Sequence, residues 1–345
     1  MFKRTALHMM FRLLLVVIAL ATLATLTSHL TSAHAAAKAT YTVIVGTDTS
    51  YGIESLAFFP QTLKVHKGDT VTWQFRGFHD MRFDQKTLDA VVVNDIDGKP
   101  QPEFNPQIFN PNARSGDTFK PGINSGVQLA VNPDNPAFSL VMDTAPGTYS
   151  YLCDVHPGMV GTLIVVDDQT AIPSPTDVDK VAQADLDKAI ADADLAILAA
   201  VKKSAAPIEG NTLQVAVGLQ TNNIAVTRFF PEIATIQVGQ SVSWTVTKGF
   251  DPHTVNIPLS REGRVDAFLP LVDAKKSLHL VLGEAGNANV KSGAELPADG
   301  IARSGPLDPG ASFTLKFTKP GVYAYYCAIH PTQFGIIEVV SPQPQ

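Results

Sequence analysis

Tyr149-Ser150-Tyr151-Leu152-Cys153-Asp154-Val155-His156-Pro157-Gly158-Met159-Val160-Gly161 sets a thiol, an imidazole and a thioether three residues apart on one short segment. The chain repeats the arrangement at Tyr323-Ala324-Tyr325-Tyr326-Cys327-Ala328-Ile329-His330-Pro331-Thr332-Gln333-Phe334-Gly335. Cys153 and Cys327 are the only two cysteines in 345 residues, and they hold the same place in the two copies. Soft sulfur, borderline nitrogen and one weak axial donor form the ligand set that suits copper.

The register between the copies is strict. One and the same interval separates Cys153 from Cys327, His156 from His330 and Met159 from Gln333. Three residues on one loop cannot surround an ion, so a further ligand has to come from elsewhere in each copy. His79, in Gly77-Phe78-His79, and His253, in Gly249-Phe250-Asp251-Pro252-His253, are separated by that interval too. Each therefore precedes its cysteine by an equal stretch of chain. The expected metal ligands are His79, Cys153, His156 and Met159 in the first copy, and His253, Cys327, His330 and Gln333 in the second.

Tyr-x-Cys-x-x-His-Pro-x-Met-x-Gly with an upstream Gly-Phe-His resembles the type 1 copper loop of the cupredoxins, within them most closely amicyanin and the plastocyanins. The second copy resembles the same family with glutamine as the axial ligand. The resemblance implies an all-β chain of two Greek-key β-sandwiches, each holding one type 1 copper that passes single electrons to redox partner proteins. The family usually has asparagine directly after the first histidine; here Asp80 and Thr254 stand there. That departure puts the rigidity of the ligand loops in question.

Upstream of the ligands the copies also correspond. Phe58-Phe59-Pro60 through Val71-Thr72-Trp73 has its counterpart in Phe229-Phe230-Pro231 through Val242-Ser243-Trp244, at a constant and slightly shorter interval. The second copy makes up the difference just before its first histidine. A strand, a Gly turn and a Val-x-Trp alternation read as a hairpin with one buried face, so Trp73 and Trp244 are expected in the cores. A long fixed period with shared landmarks indicates a duplicated domain. Tyr149, Tyr151 and Cys153 share one strand face by period two, as do Tyr323, Tyr325 and Cys327.

The expected organisation is a targeting segment over 1–35, a first domain over 36–168, a linker with a helix over 169–209 and a second domain over 210–345. Lys3, Arg4 and Arg12, an apolar run from Leu13 to about Leu23, and Ala33-His34-Ala35 read as a secretory signal. The alternative is an uncleaved membrane anchor. Either way the location is extracytoplasmic: periplasmic, cell-surface or secreted. Removing the three cations of that segment leaves 23 Lys and Arg against 32 Asp and Glu, a net charge near −9. Such a surface argues against nucleic acid or an anionic membrane as partner.

Asp177 to Lys203 reads as one helix, with Val178, Val181, Leu186, Ile190, Ile197 and Val201 at loosely helical spacing. It is expected to act as a spacer packed on one domain. The inserts 81–136 and 254–310, rich in Pro, Asn, Gly and Asp, read as long loops without regular structure of their own. They could cover the metal, join the domains or dock a partner.

Other readings compete with a pair of electron carriers, among them a duplicated fold in which one copy has lost its metal site. The two cysteines could form a disulfide. A two-domain copper oxidase or nitrite reductase, which shares the fold, would need a second kind of copper site built from several histidines. The residues beside the cysteines are instead Leu152, Asp154, Tyr326 and Ala328. Of nine histidines, only His66 and His279 remain once the ligands and the targeting segment are set aside. They read as a turn residue and a strand residue, and the chain is not expected to be an enzyme. Copper storage or delivery is a further alternative.

Overall fold

The computed structural model describes residues 38–47, 52–129, 137–204, 208–221, 223–249, 251–259 and 264–341. The targeting segment expected over 1–35 lies outside them. No helix among the described residues is long and apolar enough to cross a membrane.

Alternation decides the sheets. Thr70–Arg76 buries every second residue, Val71, Trp73 and Phe75, as a strand with one face in a core must. It lies between Ala137–Val141 and the parallel strand Thr40–Gly46, where Val43 faces Trp73 and Val45 faces Phe75. A second sheet of Gly147–Leu152, Val160–Val166 and Thr62–His66 contributes Leu63, Val65, Leu163 and Val165 to the same core. The second copy is built alike, from Thr212–Thr221, Ser241–Val246 and Ser312–Lys316 in one sheet and Ile233–Gln237, Phe334–Val340 and Gly321–Tyr326 in the other. The fold is two β-sandwiches. Trp73 and Trp244 lie in their cores, edge-on to Tyr151 and Tyr325 at 5.5 and 5.3 Å. Gly161 and Gly335 face those tyrosines across the sheet, and a Cβ on them would come within 2.2 and 2.4 Å of the ring. The final glycine of each motif is thus a packing requirement.

The two sandwiches are joined by a strand pair. Ile53–Ser55 leaves the first domain's sheets and pairs antiparallel with Ile224–Phe230 of the second, Ile53 facing Val226, Glu54 facing Ala225 and Ser55 facing Ile224. Ile53 and Ile224 are equivalent positions of the repeat, at the interval that relates Trp73 to Trp244, and so are Glu54 and Ala225. The pairing therefore has a local twofold axis through the Glu54–Ala225 pair. Two flanking bonds obey it: the Leu56 N–H donates to Asn223 O at 2.7 Å, and the Thr227 N–H to Gly52 O at 2.8 Å.

A helix, Pro175–Lys203, spans this junction, capped by the Ser174 hydroxyl and ending in Lys202 and Lys203, which suit its negative end. Its first half seats Ala182 and Leu186 on Ile44, Ala57 and Phe59 of the first domain. Its second half seats Ala193 among Ile224, Val226 and Phe230 of the second. The helix is not a spacer on one domain; it packs on both. Val181 and Val201, expected on its apolar stripe, are exposed. Alanines take their place because the helix lies close to the sheets.

The inserts also differ from expectation. Val91–Ile96 and Lys99–Phe104 form a hairpin closed by Asp97-Gly98, both at positive φ. Phe268–Val272 and Leu278–Leu282 form another, and the two meet at Val281 and Glu103 in one four-stranded sheet. Of the three roles left open, the inserts take that of joining the domains. The contact is polar inside and aromatic at its end. Glu103 Oε2 lies 2.7 Å from His279 Nδ1, Asp273 Oδ2 lies 3.5 Å from its Nε2, and Phe104 and Phe268 meet edge to face at 5.7 Å.

Glu103, then Asp273, raise His279 above the usual histidine value, against the opposing effect of burial. A histidine raised on folding stabilises the folded state fully below its unfolded value of about 6.5 and loses that contribution as pH climbs through the folded one. The melting-temperature gap between the natural chain and Glu103→Gln is therefore expected to be widest below about pH 6.5 and to narrow as pH rises. Thermal melts over that range check it, and a gap independent of pH contradicts it.

Candidate metal centres

The ligand positions converge at one end of each sandwich. His79 enters on the short strand Phe78–His79, and its ring lies against Gly46 of the first strand, where a Cβ would meet Nε2 at 2.2 Å. Gly218 does the same for His253, at 2.6 Å. Both glycines have positive φ, +74° and +67°, so backbone freedom and close approach are required together. Cys153 follows directly on Gly147–Leu152. Its loop closes on itself, the Cys153 N–H donating to Met159 O at 3.0 Å and the Met159 N–H to His156 O at 3.0 Å. The second loop repeats both bonds, from Cys327 to Gln333 and from Gln333 to His330, at 3.0 and 3.2 Å.

At the first site Cys153 Sγ lies 3.6 Å from His156 Nδ1 and 3.8 Å from His79 Nδ1, and the two Nδ1 atoms are 3.0 Å apart. At the second, Cys327 Sγ is 3.5 Å from His330 Nδ1. In each trio the donor atoms lie within 4.8 Å of one another and all three residues are buried. Donors about 2.0–2.3 Å from one ion at trigonal angles would stand about 3.5–3.7 Å apart, close to the sulfur–nitrogen distances of 3.5, 3.6 and 3.8 Å found here. Both cysteines are free and each sits with its own histidines, which removes the disulfide alternative.

Of the expected axial residues, Gln333 is inside its cluster. Its Oε1 accepts from His253 Nδ1 at 2.8 Å, while its Nε2 donates to Arg228 O at 3.1 Å, which turns the carbonyl oxygen toward the donors. Met159 is buried in the same core cluster as Cys153.

Asp80 and Thr254 tie the ligand segments together despite their change from asparagine. Asp80 Oδ1 accepts the Asp154 N–H at 2.7 Å and the Cys153 thiol at 3.3 Å. Thr254 Oγ1 accepts the Ala328 N–H at 2.7 Å, and the Thr254 N–H points at Cys327 Sγ from 3.3 Å. The same structural task is done with opposite electrostatics. Burial and Asp80 push the Cys153 thiol well up, and burial with Asp154 pushes Asp80 up to about 7. Burial also works against a Cys327 thiolate, but His330 and His253 overcome it and hold that thiol well below its usual value. His330, which burial alone would lower, is raised to about 9 by Cys327, Asp251 and Glu54. The surroundings thus disfavour a thiolate at Cys153 and favour one at Cys327.

Two buried acids near these trios carry no repeat signature. Glu54 Oε1 lies 3.8 Å from His79 Nε2 and 3.7 Å from His156 Nε2. Burial pushes Glu54 up to about 7, with His330 opposing and Asp251 adding to the rise. Asp251 is buried, and its Oδ2 has no hydrogen-bond partner. His156 is pushed down to about 3 by burial and then by His330. Sequence reasoning missed both acids. The available signal is a mismatch: Glu54 stands where the second copy has Ala225, and Asp251 lies among the extra residues that precede His253.

Residues 45–166 match the family described as copper binding proteins of the plastocyanin/azurin family. Among solved structures, a Cu(I) amicyanin mutant is 18% identical over 40% of this chain and 89% of its own, with a TM-score of 0.23. A purple cupredoxin from Nitrosopumilus maritimus is 21% identical over 37% of this chain and 98% of its own, at 0.21. A mutant fern plastocyanin is 20% identical over 37% and 99%, at 0.23.

Replacing Thr254 by valine keeps the shape but leaves the buried Ala328 N–H without an acceptor. Thr254→Val is expected to cost about 1–3 kcal/mol in the metal-free chain, and Thr254→Ser much less. Chemical denaturation of the two variants checks this, and equal stabilities contradict it.

Proposed function

We propose that each half of the chain binds one copper and passes one electron at a time, a reading supported by the match of residues 45–166 to the plastocyanin/azurin copper-binding family. The ligands are His79, Cys153, His156 and Met159 in the first domain, and His253, Cys327, His330 and Gln333 in the second. The carrying observation is the pair of buried His–Cys–His trios, each with its cysteine and second histidine on a self-closed loop. Copper, when bound, supplies a change of valence. The protein residues supply the rest: donors fixed by two strands and a loop, water kept out, and no side left open for substrate.

His66 and His279, the histidines a catalytic copper would need, are engaged elsewhere. His66 Nε2 lies 2.9 Å from Thr170 O, and His279 pairs with Glu103. This favours a carrier over an oxidase or reductase. The self-closed, buried loops favour it over a storage or delivery protein, which has to release its metal. The chain acts outside the cytoplasm, led there by residues 1–35, and its partners are redox proteins.

The axial donors set a direction. An amide oxygen favours Cu(II) over Cu(I) more than a thioether does, so the Gln333 site has the lower potential and electrons run from the second domain to the first. Redox titration of each site, with the other disabled by Cys153→Ser or Cys327→Ser, is expected to show that order. Equal potentials or the reverse order refute the direction. Azide or nitrite is expected to leave the spectrum of the oxidised protein unchanged, because neither finds an open position. An inner-sphere adduct would point to catalysis.

A further inference from the structure

The strand pairing that joins the domains places one residue on the local twofold axis, and that residue is a buried acid beside the histidines of the first site. We propose that Glu54 is a positioning residue of the first centre, its carboxylate accepting the Nε2–H of both His79 and His156. This inference rests on the two-site reading above.

The hydrogen-bond accounting points to it. When Nδ1 of a histidine binds a metal, Nε2 carries the proton and needs an acceptor, commonly a carboxylate or a backbone carbonyl. His79 Nε2 is buried and has no partner. Leaving such a donor unpaired costs about 1–3 kcal/mol. Glu54 Oε1 lies 3.8 Å from it and 3.7 Å from His156 Nε2. A movement of under about 1 Å brings both within bonding distance. One oxygen between two ring N–H groups locks both imidazole planes at once.

The placement also makes the molecule asymmetric. The twofold axis through the Glu54–Ala225 pair relates the same backbone in the two copies, but only one of the two residues carries a carboxyl group. Glu54 enters from the first domain's own chain and touches both first-site histidines. The negative charge favours the more positive oxidation state of the first site, so it lowers that potential. It narrows the gap that the Met159 and Gln333 donors would otherwise open. Glu54 thereby brings the two sites closer in energy.

The test uses the full chain with Cys327→Ser, so that the first site alone is read. In that background Glu54→Gln keeps an acceptor and removes the charge, Glu54→Asp keeps the charge, and Glu54→Ala copies the second domain's own residue. Spectroelectrochemical titration is expected to show the Cu(I)/Cu(II) ratio at fixed applied potential rising about tenfold in Glu54→Gln, a shift of about 59 mV for one electron. Glu54→Ala is expected to shift at least as far, and Glu54→Asp less than either. Metal-free melting curves show which variants fold. Folded Gln and Ala variants with the natural potential overturn the proposal, as does an Asp variant that shifts as far as the Gln one. Failure of the natural first site to bind copper at all would instead remove the two-site reading.

Discussion

A thiol and two imidazoles buried side by side, with no room for water between them, are the constraint on which the rest of the molecule depends. Such groups leave water only at a cost in free energy, and their contacts with one another recover part of it. A cation held by all three recovers far more, which is why a site of this kind is built into a rigid end of the core. The sandwiches supply that rigidity. Gly46 and Gly218 let the first imidazole lie against a strand, and Asp80 and Thr254 bind the two ligand segments together. The two solutions to the last task differ in charge, so a duplicated fold yields two unequal centres.

Duplication also explains how the halves meet. A strand that pairs with its own repeat equivalent needs no new surface, only an antiparallel approach about a twofold axis. Ile53–Ser55 and Ile224–Phe230 do this, and the helix Pro175–Lys203 covers the seam with small residues. The insert hairpins close the contact a second time through Glu103 and His279. His156 and His330 are both buried.

Much of this is legible in the sequence because it repeats. The constant interval between the copies marks the cysteines, histidines and axial residues, and the alternation around Trp73 and Trp244 marks the cores. What a reading of the residues misses is of two kinds. Some signals are local and easily passed over: Asp97-Gly98 between alternating residues is a hairpin turn, and Ala182 and Ala193 mark a helix face pressed against sheets. Others exist only through tertiary contact. Glu54 and Asp251 look like surface acids along the chain, and only the fold buries them. They are places where the repeat breaks, which is where two equal halves become different.

The most direct measurement is the visible and paramagnetic-resonance spectrum of the copper-loaded chain, with copper counted per chain. Two coppers per chain are expected, both with type 1 signals and none with a type 2 signal. A chain that takes up no copper, or that stays colourless once loaded and oxidised, would contradict the assignment of both centres.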